Sequence, residues 1–166
     1  MNGINLTLRT LHRGERRLAH ELVAVGERHA TEHEVHHVAA DLARWSREHV
    51  RRLAETAAER GVKLGEPPEH SADGVFATLR KKASEAVVHR PEPGLLLLRD
   101  LRELHVAATE NSLHWEMLAQ AAQAAQASRD SGLLALASSC HPQTLRQMRW
   151  TNTMIKNLSP QILTSL

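Results

Sequence analysis

At 166 residues and a formal charge of +2, the chain has the length of one domain, and its near balance of charge argues against a nucleic-acid partner. A single cysteine excludes an internal disulfide, and the absence of tyrosine excludes a tyrosyl radical. Prolines and glycines fall mostly between long runs rich in Ala, Leu, Glu and Arg, with few β-branched or aromatic residues, so the composition is that of an all-α protein without a sheet.

From Ile4 to His29 the apolar residues Ile4, Leu8, Leu11, Leu18, Leu22 and Val25 recur at helical spacing. The slot between Leu11 and Leu18 is filled by Glu15. A carboxylate set into a core stripe costs several kcal/mol unless it is paired, protonated or metal-bound, so Glu15 demands partners from other helices. Thr31 and Glu34 form a capping-box pattern after a very short turn. A second helix follows from about Glu32 to Arg60 and stops at Gly61, with Val35, Val38, Leu42, Trp45 and Leu53 on its apolar face. His49 lies in that stripe as Glu15 lies in the first.

Gly61 to Gly74 reads as a crossing loop. A short helix capped by Ser71 follows, with Phe76, Leu79, Ala83 and Val87 on one side, before Pro91, Pro93 and Gly94 break it. The third long helix is expected from about Leu95 to Ser128, with Leu97, Leu101, Leu104, Ala108, Trp115, Leu118 and Ala122 inward and Asp100, Glu103, Glu110 and His114 as a polar stripe beside them. The fourth starts near Ser131, bends at Pro142 and ends before Pro160. Its inner positions are assigned to Leu133, Leu134, Ala137, Leu145, Met148, Ile155 and Leu158, with Gln147, Thr151 and Asn152 as the polar groups able to turn inward. Residues 1–166 therefore form a single four-helix bundle with one additional short helix in the crossover connection.

A bundle holds two metal ions with a Glu from each of two helices and a Glu-x-x-His pair from each of the other two. Glu15, His49, Glu110 and His114 are the candidates here, but helix two has Trp45 and Ser46 where its acid belongs, and helix four has no acid at all. Three readings stay open. Glu15, His49 and Glu110 form a buried hydrogen-bonded cluster, or the candidates hold one iron, manganese or zinc ion, or they form a working two-metal oxidase; the residues favour the cluster. His29, His33, His36 and His37 crowd the first turn, where a solvated cap is favoured over an adventitious Ni or Zn site. Trp45, Trp115 and Trp150 read as packing anchors. No run reaches the 18 or so apolar residues that cross a bilayer, and Met1 to Arg9 lacks the order of a signal peptide; with the lone Cys140 this gives a cytoplasmic expectation.

The segment Leu-His-Arg-Gly-Glu-Arg-Arg-Leu, Leu11 to Leu18, resembles helix one of the YciF-like branch of the ferritin-like superfamily. His49-Val-Arg-Arg-Leu53 followed by Gly61-Val-Lys63, Glu110 to His114, and Gln147 to Asn152 are similar in the family's order and nearly its spacing. The resemblance implies a ferritin-like bundle, a homodimer, a two-metal type of site and a bacterial stress-associated role. By that resemblance Glu15 matches the helix-one ligand and Glu110 the helix-three ligand, with His114 where an aromatic residue is usual. Ala107, Trp45, Gln147 and Met148 stand at positions where further acids are expected. The expected function is therefore a non-catalytic stress-associated or ligand-binding protein with a decayed metal site. The alternative is an iron-dependent oxidoreductase or ferroxidase, or a single-metal-binding protein.

Overall fold

A computed structural model describes residues 2–65, 92–124 and 131–165. Four long helices account for nearly all of them, α1 (Gly3–Arg28), α2 (His33–Glu59), α3 (Pro93–Ala124) and α4 (Ser131–Thr164), and there is no strand among the described residues. The expected short helix at 71–90 and the end of helix three beyond Ala124 lie outside them.

Local chemistry explains most of the helix ends. Asn2 caps α1 by accepting a hydrogen bond from the Ile4 amide through its side chain. At the end of α2, Gly61 has φ +69°, Gly61 N–H donates to Ala58 O and Val62 N–H donates to Ala57 O. These two bonds are a Schellman closure, with Val62 buried after it, so the stop expected at Gly61 is formed. Helix three starts two residues earlier than expected, because Glu92 accepts from the Leu95 amide through its side chain and Pro93 fits the first helical position, where no N–H is needed.

Two end signals fail. The capping box at Thr31 and Glu34 does not form; Glu32 is the residue before α2 and makes no side-chain cap bond. Helix α4 runs through both Pro142 and Pro160 to Thr164, where an end before Pro160 was expected. Each proline leaves one carbonyl, that of Ser138 or Lys156, without its helical donor, and both of those residues are exposed to solvent.

Arg28 and His29, at the end of α1, meet Asp100 near the start of α3, whereas Glu15 meets Trp115 further along; α1 and α3 are thus antiparallel. Ser46 meets Gln147, His49 meets Gln143 and Arg52 meets Cys140, so α2 and α4 are antiparallel too. With α1 against α2 and α3 against α4 as hairpins, α2 and α3 lie diagonally and run the same way. The end of α2 and the start of α3 therefore lie at opposite ends of the bundle, about 40 Å apart over the 27 residues of α2. None of the described helices is long and apolar enough to cross a membrane.

The core has two halves. Around the α1–α2 turn, Leu18, Leu22, Val25, Val35, Leu42, Leu97, Leu101 and Leu104 pack together; at the other end Leu8, Leu11, Leu53, Trp115, Leu118, Leu133 and Cys140 do so. Between them lies a layer of buried polar side chains from all four helices.

Candidate functional site

Glu15 on α1, Ser46 and His49 on α2, Asn111 on α3, and Thr144 and Gln147 on α4 make up this layer, each 3% exposed or less. Periodicity puts them there. Glu15 continues the Leu8–Leu11 and Leu18–Leu22 stripe, Asn111 continues Leu104–Ala108 and Trp115–Leu118, and Thr144 and Gln147 continue Ala137–Cys140 and Thr151–Met154. Ser46-x-x-His49 and Thr144-x-x-Gln147 share the spacing of the bundle's Glu-x-x-His pairs, with a hydroxyl at each acid position and an amide at one imidazole position.

The geometry centres on Glu15. Its Oε1 accepts a hydrogen bond from Trp115 Nε1–H at 2.9 Å and lies 3.1 Å from His49 Nδ1, a contact without hydrogen-bond alignment. His49 Nε2–H donates to Gln143 Oε1 at 2.7 Å, and the ring meets the Trp115 ring edge-on with centroids 5.7 Å apart. With Nε2 donating, Nδ1 faces Glu15 Oε1 with no hydrogen bond between them. Gln147 Nε2 donates to Ser46 Oγ and to Leu42 O, at 2.9 and 3.1 Å. Five buried atoms of the layer, Glu15 Oε2, His49 Nδ1, Asn111 Nδ2, Thr144 Oγ1 and Gln147 Oε1, have no hydrogen-bond partner. The Asn111 side chain lies directly over the Gly14 backbone: a Cβ at Gly14 would overlap Asn111 Oδ1.

Glu15 and His49 are thus brought together, and Glu110 and His114 are not. Glu110 is exposed, and His114 turns its Nδ1–H back onto the Glu110 carbonyl at 2.9 Å. Each precedes an inward residue, Asn111 or Trp115, by one position, which rotates it about 100° out of the stripe. The expected inner face of helix four holds in part. Leu133 and Ala137 are buried, Leu134, Met148, Ile155 and Leu158 are partly buried against the core, and Gln147 and Thr151 turn inward. Leu145, however, is exposed, Asn152 points outward, and Cys140 and Thr144 join the core unexpected.

Asp100 belongs to a different site, at the turn end. Burial acts to raise the pKa of its carboxyl, but hydrogen bonds from His29, Arg28 and Arg99 outweigh that and bring it to about 2. Of the other turn histidines, His36 Nδ1–H donates to Gly26 O at 2.8 Å, capping α1, and His33 and His37 stack on the surface. Burial pushes the Cys140 thiol up to about 11, so it stays protonated and is no nucleophile at neutral pH.

The donor set does not fit two divalent ions. One carboxylate and one imidazole stand where four carboxylates and two imidazoles are needed to bridge and neutralise a two-metal centre. Among the described residues, no three His, Cys, Asp or Glu side chains converge as a metal-ligand group. Compared with known protein families, curated proteins and solved structures, the chain matches none.

Proposed function

We propose that this chain is a ferritin-like bundle in which hydrogen-bonding side chains have replaced the metal centre, and that it acts by binding rather than by redox turnover. The diagonal, co-directional α2 and α3 support the ferritin-like reading, since that family's bundles join two such helices by a crossover. The observation that carries the functional reading is the layer itself: hydroxyls at Ser46 and Thr144 and amides at Asn111 and Gln147 occupy the inward positions, leaving Glu15 as its one acid. Neutral donors and acceptors supply hydrogen bonds and register, not the charge that oxidation of a metal pair requires. The resemblance to YciF-like proteins supports a stress-associated role and a homodimer in the cytoplasm.

A single iron, manganese or zinc ion is the second reading, favoured by one distance. Two ligands at 2.0–2.1 Å on adjacent coordination positions sit about 3 Å apart, and Glu15 Oε1 and His49 Nδ1 are separated by 3.1 Å. Elemental analysis of protein purified without a His tag, alongside Glu15→Gln, separates the two. No stoichiometric metal in either sample supports the hydrogen-bonding layer; about one ion per chain, lost in the variant, supports the single-metal site.

A further inference from the structure

We propose a second binding site, independent of the polar layer, on the outer face of the α1–α2 hairpin: a groove that takes a small phosphate monoester with a compact apolar group. The groove has a volume of about 330 Å³ and is lined by Arg16, Ala19 and His20 of α1 and by Arg47 and Val50 of α2. No carboxylate lines it, and neither Arg16 nor Arg47 has a carboxylate partner among the described residues. The neighbouring arginines differ in this: Arg17 is held by Glu21, Arg44 by Asp41, and Arg51 by Glu48 and Glu55. Acids are thus available on this hairpin and are spent on the flanks, leaving two like charges facing one groove.

The excess charge is felt by the adjoining residue. Burial, and then the charge of Arg16, lower the pKa of His12 one turn away. An anion in the groove relieves that repulsion, and the planar guanidinium fork matches the oxygens of a phosphate or carboxylate in pairs. A phosphate monoester brings two negative charges and three terminal oxygens to two arginines, where a carboxylate brings one charge and two oxygens, so the phosphate matches the charge of the groove better. Ala19, at 6% exposure, and half-buried Val50 form an apolar floor for the rest of the ligand. The volume lies at the small end of ligand sites, enough for a ring of phenyl size beside the phosphate.

Calorimetric titration of the full chain with phenyl phosphate and with inorganic phosphate tests this, using Arg16→Gln, Arg47→Gln and the double variant, with circular dichroism as the folding control. Both substituted positions are exposed, so the fold is retained. Phenyl phosphate should bind once per chain and more tightly than inorganic phosphate, and each single substitution should weaken it by about tenfold or more, the value of one charge-assisted hydrogen bond. Arg13→Gln, exposed on α1 but outside the groove, should change it by less than about twofold. Absence of binding, or binding that the double variant leaves unchanged, would overturn the site. Equal affinity for the two phosphates would overturn the apolar floor.

Discussion

Glu15 has four lone-pair directions to satisfy in a place closed to bulk solvent, and Trp115 and His49 stand against only one of its oxygens. The carboxylate is tolerated because a ring N–H and an imidazole stand against it, so removing the imidazole exposes the full cost of burial. His49→Ala should lower stability by about 1–3 kcal/mol in chelator-treated protein, read by urea unfolding, and Glu15→Gln should also destabilise, within the same range. Changes below about 0.5 kcal/mol in both would remove the cluster from the account. Asp100 gives a prediction with a pH window. Its carboxyl falls from an ordinary 3.8 to about 2 in the folded chain, so the stabilisation is complete above about pH 4 and is lost as the pH falls through about 2. Asp100→Asn should therefore cost about 1–2 kcal/mol at pH 7, discounted because Arg28 and Arg99 are partly exposed, and almost nothing at pH 2. An equal cost at both values would exclude the charge as its origin. At this scale Glu15 and His49 were legible because each breaks an apolar stripe. Asn111 breaks its stripe in the same way, but Glu110 beside it has the side chain expected of a metal ligand, and chemistry prevailed over helical phase.

Along single elements, boundaries followed the sequence where one residue's geometry decides and departed from it where the environment does. Gly61 is the first kind: its positive φ suits only a residue without Cβ, so Gly61→Ala should cost about 1 kcal/mol in thermal unfolding. No measurable loss would mean that the helix end frays instead of closing. Pro160 is the second kind, because its missing donor costs little on an exposed side. The inner face of α4 could not be read in full from apolar periodicity, since Leu145 continues the apolar pattern yet is exposed, while Thr144, one position before it, is buried. Between elements, Gly14 leaves the room that the Asn111 side chain of α3 fills. Gly14→Ala adds about 1 kcal/mol of helix propensity yet should destabilise overall by about 1–2 kcal/mol, as expected of overpacking, because the new methyl overlaps Asn111. In an Asn111→Ala background the same change should become neutral or stabilising; additive effects in the double-mutant cycle would contradict the contact.

For the whole molecule, four helices, their order and the need for a long second connection were legible from the spacing of apolar residues and of Pro and Gly. Which helices lie diagonal was not, because it depends on pairings more than seventy residues apart, such as Arg28 with Asp100 and His49 with Gln143. The surface belongs to this scale too: helix α3 is apolar on its outer side as well, where Val106, Leu113 and Met117 are 61, 55 and 57% exposed. The central claim is that the layer between the two core halves works by hydrogen bonds rather than by a metal pair. It is tested most directly by titrating chelator-treated protein with ferrous ion without oxygen and counting the ions retained after gel filtration. The account predicts no stoichiometric retention and the same result for Glu15→Gln; two ions per chain, lost in that variant, would contradict it.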